Sequence, residues 1–320
     1  MPDLPIEILC EIFAYSSSSL RVRQAHEFPW YLGQVCSRWR ALFFSMHSTF
    51  WKRIEINWNK DFPRRTRFAE CTKAILAFFL NRTQGAPFSF SLFREGDHPK
   101  MAHVRWIIKD LLSHSSQWEE VFIRTNPVVF HLNLLRNVKG HLPLLKKLEI
   151  TSSDYFGPEV HSSFADIFED APLLTHVVLK DVSVWEFNWS SLTILCLIGY
   201  QRNIGKTLAI LQKTVNLVEL TFGDVLHHVG EFWMRGIIHF RHLEYLSIMG
   251  IEFLTILKTP ALRRLEVRFR EIGDSISSTI NDDKMVDFLC KSRLRLTVMD
   301  DTSKMNSKIL LHTSTIQLYQ

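Results

Sequence analysis

Apolar and polar residues alternate in short segments through most of the chain. The repeated unit is apolar-x-x-apolar-x-apolar, and its clearest copies begin at Trp118, Leu145, Leu174, Leu192, Leu217, Leu243 and Leu262. Because side chains on a β-strand point alternately to opposite faces, each copy predicts a short strand with one apolar face. Residues 51–56 and 88–92 alternate in a similar way and are candidates for two earlier strands. Residues 293–300 and 315–320 each favour a strand as well.

The seven copies recur at intervals of 27, 29, 18, 25, 26 and 19 residues. These intervals lie in or close to the period of about 20–29 residues that is typical of leucine-rich repeats. In such repeats neighbouring strands pair in parallel into a curved sheet, and helices cover its convex side. Helical spacing of apolar residues favours helices in residues 163–171, 205–214 and 229–240, whereas the two short intervals leave room only for a turn or a single helical coil. We therefore predict an α/β fold for residues 59–320, built as a leucine-rich-repeat solenoid.

The first 58 residues have apolar positions at helical spacing instead. Pro5 suits the first turn of a helix, where its missing N–H has no partner to lose. Four apolar residues of this helix are predicted to share one face opposite two acidic residues: Ile8, Leu9, Ile12 and Phe13 against Glu7 and Glu11. A second helix is predicted from about Trp30, with one apolar stripe formed by Leu32, Val35, Cys36 and Trp39. One interpretation is a helical cap that shields the exposed end of the repeats.

Three blocks of these N-terminal residues resemble the F-box motif. In order they are Leu4-Pro5-x-Glu7-Ile8-Leu9-x-x-Ile12-Phe13, Val35-Cys36-x-x-Trp39-Arg40 and Phe50-Trp51. The resemblance implies that residues 1–58 form a helical F-box domain, which binds a Skp-type adaptor and, through it, the cullin of an SCF-type ubiquitin ligase. The residues that would contact the adaptor or support that surface are Leu4, Pro5, Ile8, Leu9, Ile12, Val35 and Trp39.

An F-box followed by irregular repeats implies a substrate receptor, which holds a target protein and performs no chemistry itself. One alternative is an interaction scaffold that has the repeats but no ligase role. Another is a hydrolase or transferase within the repeats, which would need a cleft with a nucleophile and a base in reach of each other.

Strand geometry selects candidate target-binding residues without reference to any family. If the leucine positions face inward, the residues between them face outward onto the concave side. The middle of this outward set is apolar and its ends are charged, which is typical of a protein-binding surface. The predicted target-binding residues are Val178, Ile194, Cys196, Ile198, Tyr245, Met249 and Arg264. The alternative is that a helix or the C-terminal tail covers residues 194–198.

The amino-acid composition indicates the class of protein and the cellular compartment in which it is expected. Hydrophobic residues make up 46% of the chain and charged residues 22%, which is the balance of a folded protein. Five scattered cysteines favour a reducing compartment, and no apolar run approaches the roughly 18 residues of a membrane helix. We therefore expect a location in the cytosol or the nucleus.

Known catalytic and metal-binding patterns are missing from the sequence. Gly205-Lys206-Thr207 resembles the end of a phosphate-binding loop, but Tyr200 replaces the required upstream glycine. The adjacent pair His227 and His228 would face different sides, and no cysteine pair accompanies it. The basic segment at residues 60–73 is better interpreted as a solvated linker than as a nucleic-acid contact. We predict no catalytic residue, metal or cofactor.

Overall fold

The computed structural model describes residues 4–16, 20–21, 31–46, 48–57, 66–93, 101–125, 134–152, 166–182, 186–199, 204–223, 237–249, 252–268, 288, 290, 295–299 and 313–319. The chain divides into two compact units. The first comprises Met1–Leu173 with Trp185–Phe187, and the second comprises Leu174–Val184 with Asn188–Gln320. Each unit contains helices and a sheet of parallel strands, so the predicted α/β class is confirmed. The predicted boundary after residue 58 stays a prediction.

The first unit begins with helices. They are α1 (Ile6–Ser16), α2 (Leu32–Val35), α3 (Ser37–Ser45), α4 (Thr66–Thr83) and α5 (Met101–Leu112), with 3-10 turns at Ser48–Trp51, Ser115–Gln117 and Leu134–Val138. Helix α1 ends at Ser16, the first of four consecutive serines. The larger helices α4 and α5 bury apolar residues at spacings of three and four: Leu76, Phe79 and Leu80 on α4, and Ile107, Ile108 and Leu111 on α5. Both helices are therefore amphipathic, with one covered face.

The sheet of the first unit has five strands in chain order, all parallel. They are β1 (Leu20–Arg21), β2 (Arg53–Asn57), β3 (Phe88–Phe93), β4 (Trp118–Thr125) and β5 (Lys147–Ser152). The register aligns the inward residues of β2 to β5 into two buried rows: Ile54, Phe90, Val121 and Leu148, then Ile56, Leu92, Ile123 and Ile150. The two early strands predicted at residues 51–56 and 88–92 are thus confirmed as β2 and β3.

The second predicted helix is interrupted in the structure. Helix α2 ends at Val35, and Cys36 has extended backbone (φ −158°, ψ 171°) before α3 begins. Leu32 is buried, but Val35 and Cys36 are exposed, so the single apolar stripe predicted across them is wrong. The interruption turns Val35 and Cys36 away from the core that Leu32 enters.

The sheet of the second unit contains five parallel strands. They are β6 (His176–Lys180), β7 (Ile194–Ile198), β8 (Glu219–Gly223), β10 (Tyr245–Met249) and β12 (Arg264–Arg268). Helix α6 (Ile204–Lys213) lies between β7 and β8, while 3-10 turns at Trp189–Ser191 and Glu252–Ile256 occupy the two short intervals. A separate parallel pair is formed by β9 (Ile238–His239) and β11 (Leu257–Lys258). The predicted parallel strands, and the single coils of the short intervals, are confirmed.

Two rows of apolar side chains form the core under this sheet. They are Val177, Leu195, Leu220, Leu246 and Leu265, then Leu179, Leu197, Phe222, Ile248 and Val267. All ten are buried, and so are the leucines that begin each copy of the sequence pattern. Burying one such side chain stabilises a fold by roughly 1.5–3 kcal/mol, so these rows dominate the stability of the unit.

The last two strands run in the opposite direction. Strand β14 (Thr313–Tyr319) pairs antiparallel with β12, and β13 (Arg295–Met299) pairs antiparallel with β14. Both strands were predicted from alternation. Their direction was not, because alternation of apolar residues is the same in parallel and antiparallel strands.

The three predicted helices between strands have different outcomes. The helix at residues 205–214 is confirmed as α6. The described part of residues 163–171 forms turns, so that helix is wrong there; Phe168 instead makes a β-bridge with Phe187 and stacks on its ring at 6.0 Å. Pro172 contributes, because the residue before a proline is disfavoured in helical backbone. Most of residues 229–240, with His227 and His228, lies outside the described residues, and its end contains β9.

Within the described ranges, none of the helices combines the length and the apolar character needed to cross a membrane. Residues 60–65 of the basic segment lie outside those ranges, while Arg67 and Lys73 belong to α4.

Candidate functional site

Helix α1 is held against α3 by two inward side chains. Leu9 and Phe13 are four residues apart, hence on the same helical face, and both are buried. The Phe13 ring meets the ring of Trp39 edge to face, with centroids 5.1 Å apart. Nη2 of Arg38 donates a hydrogen bond of 2.8 Å to the carbonyl oxygen of Leu4. The two fully buried side chains of α1 thus form one narrow stripe along the described part of the helix.

A second set of apolar side chains on α1 is open to solvent. Ile8 and Ile12 are 46% and 44% exposed, and Tyr15, one turn further, is 96% exposed. Their spacings of four and three residues place these three side chains on one helical face. We define the N-terminal apolar surface as the exposed residues Leu4, Pro5, Ile8, Ile12, Tyr15 and Val35. Of these, Ile8, Ile12 and Tyr15 share one helical face, and large apolar side chains exposed together make a candidate site for protein interaction.

The turn between α2 and α3 fixes the position of Val35. Sγ of Cys36 accepts a hydrogen bond of 3.4 Å from the backbone N–H of Trp39 and so caps the start of α3. Nε of Arg40 donates a hydrogen bond of 2.8 Å to the carbonyl oxygen of the buried Gly33. With both ends of the turn held, Val35 stays 54% exposed.

An aromatic cluster anchors the N-terminal helices to α4. The buried rings of Phe43 and Trp51 lie 5.3 Å apart, and Trp51 meets Phe78 of α4 at 5.4 Å, both pairs edge to face. Nε1 of Trp51 donates a hydrogen bond of 3.3 Å to the carbonyl oxygen of Met46. Arg82 of α4 lies over the Phe78 ring at 5.2 Å and donates a hydrogen bond to the backbone of Phe44. Each such aromatic pair contributes about 0.5–1.5 kcal/mol beyond the burial of its area.

The residues predicted to contact an adaptor divide into two groups. Leu4, Pro5, Ile8, Ile12 and Val35 are exposed on the N-terminal apolar surface, whereas Leu9 is buried and Trp39 is half-buried beneath it. The prediction did not include Tyr15 or the exposed residues Ile6 and Tyr31. Tyr15 could have been found, because it continues the Ile8 and Ile12 face by one turn.

The outward face of the second unit's sheet is the other candidate surface. The strand register aligns six of the seven predicted target-binding residues at outward positions: Val178, Ile194, Cys196, Ile198, Tyr245 and Arg264. The seventh, Met249, is the last residue of β10. Ile194, Cys196 and Ile198 follow one another along β7 and are half-buried, so neither a helix nor a tail covers them completely. Val178 on β6 is buried beside them.

A polar group lies at the β10 and β12 end of this face. Oη of Tyr245 donates a hydrogen bond of 2.7 Å to Oε2 of Glu266, which is only 8% exposed. The guanidinium of Arg264 lies over the Tyr245 ring at 5.3 Å. Burial, followed by the bond to Glu266, raises the pKa of Tyr245 above its ordinary value. The strand pattern predicts that Glu266 faces outward, but it does not predict the burial of this side chain, since a carboxylate at an outward strand position is usually exposed.

The corresponding face of the first unit's sheet is occupied by charged pairs. Nη2 of Arg53 lies 2.5 Å from Oε2 of Glu120. Cζ of Arg53 lies 5.8 Å from the centroid of the Phe122 ring, and Nζ of Lys147 lies 5.0 Å from it. A cation over an aromatic ring is a favourable contact, so Arg53 and Lys147 already have partners within this face of the sheet.

In the part of the chain that the structure describes, no group of three or more His, Cys, Asp or Glu side chains is arranged to hold a metal ion. No protein-family model matches this chain, and comparison with curated proteins gives no match.

Proposed function

We propose that this chain is the substrate receptor of an SCF-type ubiquitin ligase, with an N-terminal F-box and a leucine-rich-repeat body. The observation that supports this best is the division of the motif residues on α1. Leu9 and Phe13 are buried, while Ile8 and Ile12 are open to solvent. A helical cap would be expected to bury its apolar residues, whereas a docking domain keeps some of them exposed for its partner.

The N-terminal apolar surface would bind the Skp-type adaptor. Covering a side chain such as Ile8, Ile12 or Val35 contributes of the order of 1 kcal/mol, because each is already half-covered and complete burial is worth roughly 1.5–3 kcal/mol. The aromatic cluster that includes Phe43 of α3 would hold this helix in place, and a surface fixed before binding loses less entropy on binding.

The outward face of the second unit's sheet would hold the target. Its role requires no covalent chemistry by this chain. Holding a target lysine near the activated ubiquitin thioester replaces a rare encounter by a high effective concentration. We propose a location in the cytosol or the nucleus, where adaptor and cullin would be met.

Binding to a purified Skp-type adaptor tests this function. The full-length protein is expected to bind, and the double variant Ile8→Glu/Ile12→Glu should bind at least about 100-fold more weakly, because two charges would be desolvated at the contact. The matched control is Ile194→Asp/Ile198→Asp, which should keep adaptor binding but lose target capture while remaining folded. Absence of adaptor binding by the wild-type protein would instead favour the interaction scaffold without a ligase role.

A further inference from the structure

One outward row crosses all five parallel strands of the second unit. The register places His176, Ile194, Glu219, Tyr245 and Arg264 side by side in that order. Ile194 is half-buried, whereas Glu219 and Arg264 are exposed. An apolar position is therefore followed by an acidic and then by a basic position across the sheet.

The distances along this row are set by the sheet. Neighbouring strands lie about 4.8 Å apart, so the Cα atoms of Glu219 and Arg264, two strands apart, are separated by about 10 Å. An extended peptide advances about 3.3 Å per residue, so three residues span that distance. Ile194 lies one strand before Glu219, which corresponds to one or two residues of such a peptide.

Tyr245 keeps the two charged positions apart. Its hydroxyl is bound to the buried Glu266, and its ring carries the Arg264 guanidinium at 5.3 Å. The aromatic side chain thus stands between Glu219 and Arg264 with little freedom. Rigid tyrosine side chains near the centre of an interface are frequent sources of binding energy.

We propose that the outward face binds an extended peptide segment of the target that crosses the strands along this row. The segment carries an apolar residue over Ile194, a Lys or Arg one or two positions further at Glu219, and an Asp or Glu three positions beyond that at Arg264. The basic residue lies between the apolar and the acidic residue in either chain direction. This inference rests on the target-binding part of the proposed function.

Peptide selection on the full-length protein tests the order of charges. A phage library of random peptides is selected on the wild-type protein and on the double variant Glu219→Lys/Arg264→Glu, which has the same net charge. The wild-type protein should enrich peptides with a basic residue next to the apolar one, and the variant should enrich peptides with an acidic residue there. A peptide selected by the wild-type protein should lose at least about tenfold in affinity for the variant, because like charges then meet.

The matched control is Arg53→Glu/Glu120→Arg, which exchanges the charges of an ion pair on the first unit and should leave the selected sequences unchanged. Equal preferences for the wild-type protein and the Glu219/Arg264 variant, or no enrichment at all, would overturn the inference. So would a wild-type dimer that the charge exchange dissociates, since a second copy would then occupy the face. Adaptor binding is measured on the same preparation, so retained adaptor binding without peptide selection refutes this inference alone.

Discussion

Helix α1 and the strands of the second unit use their apolar residues differently. Along the strands, every residue of the two inward rows is buried. On α1, Leu9 and Phe13 are buried, but Ile8 and Ile12 are only about half-covered. Alternate residues of a strand face opposite sides of the sheet, so the inward rows form one buried side, whereas a helix can carry a second apolar stripe beside the packed one. The fold therefore requires the inward strand residues, whereas it only half covers Ile8 and Ile12 on α1.

The largest loss of stability is expected when a buried residue of α1 is truncated, with a half-exposed residue of the same helix as the control. We expect Phe13→Ala to lower the free energy of unfolding by about 3–5 kcal/mol, because it removes a buried ring and its contact with Trp39. Ile12→Ala, the adjacent control, should lower it by no more than about 1 kcal/mol, because only about half of this side chain is covered. Urea denaturation of the full-length protein measures both. Equal losses would show that the two stripes are packed alike.

A smaller loss of stability is expected when the hydrogen bond between Tyr245 and Glu266 is removed from the outward face of the second unit's sheet. Tyr245→Phe removes the hydrogen bond to Glu266 and should cost about 1 kcal/mol at neutral pH. Burial and that bond raise the folded pKa of Tyr245. Its contribution is therefore fully present below the ordinary tyrosine pKa of about 10 and is lost as pH rises through the higher folded value.

Ultraviolet titration and denaturation at increasing pH measure this contribution. The wild-type protein should contain a tyrosine that ionises above the ordinary pKa, and the Tyr245→Phe variant should lack it. An unchanged titration after the substitution would mean that Tyr245 is not the shifted group.

The smallest effect should come from the charged pairs of the first unit. Arg53→Ala removes an ion pair whose side chains are 45% and 32% exposed, so solvent already screens it. We expect a loss of less than about 1 kcal/mol that shrinks further in high salt. Thermal unfolding at two salt concentrations gives the comparison. A loss as large as that of Phe13→Ala would contradict the view that this face is marginal to stability.

The strands were predictable because their apolar residues alternate with a period that no helix shares. Leu195, Leu220 and Leu246 are inward by that rule alone, and the outward positions of Ile194 and Tyr245 follow from it. The antiparallel direction of β14 was not predictable, since alternation carries no direction.

The N-terminal helices were predicted less completely. Ile8 and Leu9 are adjacent apolar residues, and either could face inward until α3 is in place. Hydrogen bonds between side chains and the backbone accompany the break at Cys36, among them the bond from Arg40 to the carbonyl of Gly33. The periodicity of apolar residues carries no information about such bonds, so the apolar stripe alone predicted a continuous helix.

Hydrogen exchange of the full-length protein with and without a Skp-type adaptor tests the central claim most directly. The account predicts that the adaptor slows exchange in α1 and in the α2–α3 segment, while residues 194–198 exchange at an unchanged rate. Unchanged exchange throughout α1 at saturating adaptor, or slowing confined to the sheet of the second unit, would contradict it.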